Sequence, residues 1–241
     1  MLELKHLDYT VQDGDNPIDI VKDISLTVDE RFVAITGPNG GGKSTLAKLI
    51  AGILTPTAGQ ILLDGEDITP LSITDRAKKG ISFAFQQPVR FKGLTVHDLL
   101  SLAADKPISI AEACSYLSEV GLCAKDYVDR EVNSSLSGGE LKRIEIATVM
   151  IRGTALSVFD EPEAGIDLWS FQNLIQVFQN MQKKLGGSIL IISHQERILK
   201  MADKIIIVAD GRVTDCGTPA VILPKMLNQS GPCQALTEKL K

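Results

Sequence analysis

The spacing of hydrophobic and polar positions divides the chain into three parts. The first 36 residues carry short β-branched and apolar runs, which predict strands at "LELKHLDYTV", "VKDISLTV" and "RFVAIT". The acidic turn "QDGDNP" separates the first two of these strands. We therefore expect an antiparallel β edge at the start of the chain, followed by a helix over residues 43–53 and short strands at "ILLDG" and "ISFAF".

The middle of the chain loses β-branched runs and gains helical spacing, as in "TVHDLLSLAA" and "ISIAEACSYLSEVGL". This change predicts an inserted α-helical subdomain over residues 88–154. From residue 155 strands return as "ALSVFDE", "SILIIS" and "KIIIVADG", separated by segments of helix length. Such alternation predicts parallel βαβ units. We expect one α/β domain, with a mainly parallel core from residues 1–87 and 155–217 and a C-terminal tail over 218–241.

A cluster of glycines, "ITGPNGGGKSTL", separates a predicted strand from a predicted helix. Glycine loses much conformational entropy on folding, so the cluster is either a flexible loop or a geometric requirement. Gly37 and Gly42-Lys43-Ser44 have the spacing G-x-x-x-x-G-K-S of a phosphate-binding loop. Backbone N–H groups would cradle the phosphates, with Lys43 as a point charge and Ser44 as a Mg²⁺ ligand.

Paired acids end the strand in "ALSVFDEPEAGID". Ligands of open α/β sheets bind beyond the carboxyl ends of the strands. Asp160 is suited to hold Mg²⁺, and Glu161 to orient or polarise an attacking water. Without a phosphate-binding loop in the chain, the same pair could simply begin a turn.

Two further segments have the spacing of a helix capping box, Ser137-x-x-Glu140 and Ser193-x-x-Glu196. Gly138 and Gly139 disfavour a first helical turn, so the first segment is either a capped helix or a second phosphate contact. The second box places His194 in a first helical turn, where it would contact phosphate or attacking water; the alternative is a histidine that is only structural or exposed to solvent.

Composition narrows the class of protein. The net charge is −5 and the pI is about 5.3, without blocks of like charge, so we expect no nucleic-acid partner. The longest apolar runs are strand-sized, which predicts no direct membrane insertion. "MLELKHLDYTV" is not a secretory signal, so the expected location is cytoplasmic. The four cysteines form no C-x-x-C motif and are expected to be reduced, the alternative for an even count being two disulfides.

Taken in order, "GPNGGGKST", "AFQQP", "LSGGE", "LSVFDE", "AGID" and "ISH" closely resemble the ATP-binding-cassette (ABC) ATPases over nearly the whole chain. The resemblance implies ATP and Mg²⁺ as ligands and hydrolysis of ATP to ADP and phosphate. It also implies an ATP-dependent homodimer, in which the signature of each cassette covers the nucleotide bound to the other.

The resemblance assigns roles to individual residues. Glu161 is the catalytic base, assisted by Gln86, His194 and Lys43, and the metal site is Ser44, Gln86 and Asp160. The implied nucleotide-binding residues are Gly37, Pro38, Asn39, Gly40, Gly41, Gly42, Lys43, Ser44, Thr45, Ser137, Gly138, Gly139, Glu140 and the D-loop residue Asp167.

Within the ABC family, "EDITPLSITDRAKKGISFAFQQPVRFKG" and "SGGELKRIEIA" resemble SufC-type ATPases of iron–sulfur cluster assembly, as do the acids Glu145 and Glu163. That resemblance implies a SufB-like or SufB/SufD-like scaffold as partner. The alternative is the nucleotide-binding subunit of an ABC membrane transporter, which "DEPEAGID" with Pro162 also resembles. A DNA-repair or chromosome-structuring ATPase would need a long coiled-coil insertion or a basic surface, and the sequence contains neither.

Overall fold

The computed structural model describes residues 1–14, 16–166, 168–184 and 186–229. Its strands form a four-stranded antiparallel sheet, in the order β2-β1-β4-β5, and a six-stranded sheet, in the order β10-β9-β3-β8-β7-β6. The strands are β1 (Leu2–Asp13), β2 (Asn16–Val28), β3 (Phe32–Thr36), β4 (Ala58–Leu63), β5 (Glu66–Asp67), β6 (Ile81–Ala84), β7 (Leu156–Asp160), β8 (Ser188–Ile192), β9 (Lys204–Ala209) and β10 (Arg212–Gly217).

The helices follow the expected distribution along the chain. They are α1 (Lys43–Ala51), α2 (Ile73–Lys78), α3 (Val96–Ala103), α4 (Ile110–Glu119), α5 (Ala124–Tyr127), α6 (Gly138–Arg152), α7 (Leu168–Lys184), α8 (Glu196–Met201) and α9 (Pro219–Gln229). Helices α3 to α6 lie between strands β6 and β7, where the sequence predicts the helical insertion. Among the described residues, no helix combines the length and apolar character needed to cross a bilayer.

The six-stranded sheet is parallel except for β10, which pairs antiparallel with β9. Strand β3 lies inside this sheet, whereas the predicted antiparallel edge consists of β1 and β2 with β4 and β5. Because parallel strands end at a common edge, the segments after β3, β6, β7 and β8 are brought together there. These segments contain the phosphate-binding loop, Gln86, Glu161 and His194.

The core lies on both faces of the central sheet, as β3 shows. Phe32 and Ala34 pack into a cluster with the helices of the middle segment and α7, and Val33 and Ile35 pack into a second cluster with α1 and the antiparallel sheet. Successive side chains of a strand point to opposite faces. The unbroken apolar run "FVAI" is therefore the pattern of a strand buried on both sides.

Candidate active site

The phosphate-binding loop follows β3 and packs tightly against neighbouring backbone. Gly37 has a φ of 135° and Gly42 a φ of 97°, in the region that favours glycine. A Cβ atom on Gly37 would lie 2.1 Å from the Val208 carbonyl oxygen, and one on Gly42 would lie 2.7 Å from that of Ile20. The glycines are therefore a geometric requirement and not simply a flexible loop.

Lys43 begins α1 and is almost fully buried. Its Nζ donates hydrogen bonds to the carbonyl oxygens of Gly37, at 2.9 Å, and Pro38, at 2.7 Å. Burial lowers the pKa of the ammonium group, and the nearby Glu161 and Asp160 charges oppose this effect. The structure thus holds the ammonium within the curve of the loop, where a bound phosphate would meet it.

An open cavity of about 450 Å³ lies over the loop and is lined by Gln86 and Glu161 as well as by residues 39–45 and Ile20. The loop backbone and the N-terminus of α1 supply N–H groups suited to anions. The cavity therefore fits a nucleoside triphosphate, with its phosphates on the loop.

Asp160 ends β7 and is 2% exposed. Its Oδ1 accepts a 2.8 Å hydrogen bond from the Ser44 hydroxyl. Burial raises the pKa of Asp160, and the bond from Ser44 counteracts this shift. Two oxygen ligands beside the phosphate cradle suit Mg²⁺, which prefers oxygen and keeps several waters.

Glu161 leaves the strand in a left-handed backbone conformation, with a φ of 44°, which is uncommon for a residue other than glycine. Its Oε2 accepts a 2.8 Å hydrogen bond from Gln86 Nε2, and His194 Nε2 lies 3.5 Å from its Oε1. Two residues that are far from Glu161 in sequence, Gln86 and His194, therefore meet at its carboxylate.

The predicted capping box at Ser193 is wrong. Helix α8 begins at Glu196 with Gln195 as N-cap and without a side-chain cap, so His194 lies before the helix and not in its first turn. Ser193 is fully buried, and its hydroxyl donates to Glu163 Oε1, at 2.5 Å, while accepting from the Gln195 N–H group. The hydroxyl is turned towards the preceding loop because the buried Glu163 carboxylate takes its hydrogen.

The capping box at Ser137 is confirmed. The Ser137 hydroxyl accepts from the Glu140 N–H group, and Glu140 Oε2 accepts from the Ser137 N–H group at 2.7 Å. Gly138 and Gly139 begin α6 beside this cap. The residues of the signature are not among those lining the cavity over the phosphate-binding loop, and Asp167 lies outside the described residues.

Two charged residues of α6 contact the site but were not among the predicted site residues. Lys142, which is 1% exposed, and Glu145 both bond the backbone of Phe85, next to Gln86. A sequence signal exists, because Glu145 stands midway between Leu141 and Val149 at four-residue spacing, on a buried helix face. A charge on such a face needs a partner inside the protein.

The glycine-rich loop, the acid at the end of a neighbouring strand and the parallel sheet define a P-loop nucleoside triphosphatase. More narrowly, a family model described as "ABC transporter" matches residues 21–164. The chain belongs to this family, and it is an ABC-type ATPase that binds ATP.

Individual relatives extend over most of the chain. An uncharacterized ABC transporter ATP-binding protein, MJ0035 of Methanocaldococcus jannaschii, is 39% identical, with 89% of each chain covered. The energy-coupling factor transporter ATP-binding protein EcfA1 of Streptococcus thermophilus is 31% identical, over 100% of this chain and 90% of that one.

A solved structure shares the fold. The ATP-binding cassette MJ0796, in a dimeric post-hydrolysis state bound to ADP and Pi, superposes with a TM-score of 0.82 at 25% identity, over 91% of this chain and 99% of that chain. It supports the ABC cassette architecture predicted from the motifs.

Proposed function

We propose that this chain is the ATP-hydrolysing, cytoplasmic subunit of an ABC membrane transporter whose membrane-spanning part is a separate chain. The sequence motifs also fit a transporter subunit, and the names of the relatives favour it over iron–sulfur assembly. The observation that carries the proposal is an apolar groove that begins at the segment of Gln86.

The groove is lined by Phe85, Leu141 and Thr148, and by Val89 and Phe91, which are 44% and 38% exposed. An apolar surface of this kind suits a helix from a partner protein. Gln86 stands directly after Phe85 and donates to Glu161. A helix in the groove would therefore press on the segment that contacts the catalytic carboxylate, which connects a transport step to hydrolysis.

The site residues support the following chemistry. ATP binds with its phosphates on the loop, and Lys43 neutralises charge on the β- and γ-phosphates. Glu161 accepts a proton from the water that attacks the γ-phosphate, while Gln86 and His194 keep the carboxylate in place. Mg²⁺, held by Ser44 and Asp160 with Gln86 as a further ligand, would neutralise the developing charge when bound. The remaining loop residues supply backbone contacts.

We further propose an ATP-dependent homodimer. The related cassette MJ0796 is described as dimeric, and the signature of this chain does not line its own phosphate cavity. Two-fold symmetry would place residues 137–140 of each subunit over the nucleotide of the other, with Asp167 near the shared surface. We also propose that the inserted helical subdomain begins at residue 88 and ends at residue 154.

Iron–sulfur cluster assembly with a SufB-like or SufB/SufD-like scaffold is the second candidate. The observation that favours it is that Glu145 and Glu163, the two acids of the SufC resemblance, both form hydrogen bonds inside the protein. Glu145 bonds the Phe85 N–H group, and Glu163 bonds Ser193. Neither contact depends on a membrane partner.

Affinity purification of the tagged chain from soluble and detergent-solubilised membrane fractions, with mass spectrometry of stoichiometric partners, separates the two candidates. We expect a polytopic membrane protein in the detergent fraction, lost in a Phe91→Arg variant that keeps its ATPase activity. A soluble scaffold recovered without detergent would instead support iron–sulfur assembly and contradict the transporter proposal.

A further inference from the structure

We infer that Lys142 and Glu145 of α6 position Gln86 for catalysis by holding the backbone immediately before it. We call these two residues the α6 clamp. The inference rests on the roles proposed above for Gln86 and Glu161, but it does not depend on which partner the chain serves.

The clamp holds both backbone polar groups of Phe85. Glu145 Oε1 accepts a 3.0 Å hydrogen bond from the Phe85 N–H group, and Lys142 Nζ donates to the Phe85 carbonyl oxygen. Lys142 Nζ also lies 3.5 Å from the Gln86 carbonyl oxygen and 3.1 Å from Glu145 Oε2. Strand β6 ends at Ala84, so these backbone groups lie beyond the strand and are bonded by side chains instead.

Both side chains of the clamp are largely buried, and their burial restricts which groups they can contact. The Lys142 side chain is 1% exposed and that of Glu145 is 14% exposed. Removing two charges from water has a large free-energy cost, so a buried ion pair is often no more stabilising than apolar side chains of the same volume. Simple attachment of α6 to the core would not need these charges. Their arrangement around one peptide unit does account for them, because it restricts where Gln86 can lie.

The clamp links two parts of the proposed site. Helix α6 begins at the signature, Ser137 is its N-cap, and Lys142 and Glu145 lie one and two turns further along. At the other end, Gln86 Nε2 donates to Glu161 Oε2 at 2.8 Å. A shift of α6 when the signature meets a nucleotide would therefore move Gln86 relative to Glu161. Lys142 and Glu145 are positioning residues, since they act on the reaction through Gln86.

A double-mutant cycle tests this role. We expect Lys142→Met to lower kcat by about 10- to 100-fold, the scale of loss for a misplaced catalytic group. The KM for ATP should change by less than about threefold, because the phosphate-binding loop belongs to another element. In a Gln86→Ala background the same substitution should lower kcat by less than about twofold, since its effect passes through Gln86.

Glu145→Gln provides a second variant if Lys142→Met does not fold, because it keeps the size of the side chain and an acceptor for Phe85. Because it removes the charge that pairs with Lys142 Nζ, it should also lower kcat and show the same non-additivity with Gln86→Ala. Lys79→Met is the matched control, since Lys79 forms an exposed pair with Glu66. It should leave kcat unchanged.

Equal loss of kcat with and without Gln86 would overturn the clamp in favour of a structural role, as would unchanged kcat in both clamp variants. Full turnover in Gln86→Ala alone would overturn the clamp together with the catalytic role of Gln86. That result would leave the partner assignment standing, because the purification experiment tests it separately.

Discussion

Two helices of this protein begin next to glycines, and the glycines differ in what surrounds them. Before α1, an added Cβ atom at Gly37 or Gly42 would collide with backbone carbonyl oxygens of β9 and β2. At the start of α6, a Cβ on Gly138 or Gly139 would meet nothing within 4 Å. The first pair is required by the packing of the chain itself, whereas no described residue requires the second pair.

The difference indicates where each half of the site is completed. Alanine is a better helix former than glycine by up to about 1 kcal/mol per residue. Gly138 and Gly139 therefore lower the intrinsic stability of α6. A partner that approaches the bare backbone closely would account for this choice. The phosphate-binding loop is thus built within one chain, whereas the open backbone of the signature is consistent with the proposal that it covers the nucleotide of a second chain.

The largest expected effect is at the loop. Lys43→Ala removes the ammonium group that would face the phosphates, so ATP binding should weaken and turnover should fall by at least about 100-fold. Isothermal titration with ATP and a phosphate-release assay measure the two effects. Normal turnover would contradict the assignment of the loop, and Lys79→Met serves as the control.

The second largest effect is on the free energy of unfolding, through contacts of helix α1, which follows the same loop. Arg76 is buried and donates to the carbonyl oxygens of Leu49 and Ile50 in the last turn of α1, and to those of Thr69 and Leu71. Arg76→Met removes the side-chain donor from all four carbonyl oxygens, of which Leu49 keeps the Gly52 N–H group, and this should lower the free energy of unfolding by about 3 kcal/mol. Urea denaturation tests this, with the exposed Arg212→Met as control. An unchanged midpoint would show that α1 does not depend on Arg76.

Gly139→Ala tests whether this glycine of the signature serves a partner's nucleotide or the fold of its own chain. It should lower turnover by about tenfold by crowding the partner's nucleotide, while ATP binding to the isolated chain persists. Its free energy of unfolding should not fall and could rise by up to about 1 kcal/mol. Activity and thermal unfolding are measured on the same sample. Loss of stability together with activity would mean that Gly139 serves the fold of its own chain.

The smallest effect is a dependence of stability on pH. Burial raises the pKa of Glu163 in the folded protein. Below its ordinary pKa this carboxyl is protonated in both the folded and the unfolded state. As pH rises towards the raised folded value, the unfolded chain releases its proton first and stability falls. Glu163→Gln should therefore gain about 1 kcal/mol relative to wild type between pH 4 and pH 8. An equal difference at both pH values would contradict this.

Most residues of the candidate site could be predicted from the sequence because its motifs are local. The loop glycines, Asp160 and Glu161 are tied to strand ends, and strand ends of a parallel sheet meet. Ser193 shows where such reasoning fails, since a serine three residues before a glutamate indicates a cap only while its hydroxyl is free. Here Glu163 takes the hydroxyl. The role of Lys142 escaped prediction because the Phe85 backbone that it bonds lies more than 50 positions away.

The central claim is that the signature completes the site of a second chain, and the mass of the Glu161→Gln protein in solution tests it most directly. Sedimentation of this slowly hydrolysing variant with Mg²⁺ and ATP should show the mass rising from 26.0 kDa to twice that value, and not with ADP. Adding Gly139→Asp should keep the protein monomeric while it still binds ATP. A Glu161→Gln protein that binds ATP and stays monomeric, or a double variant that still dimerises, would contradict the account.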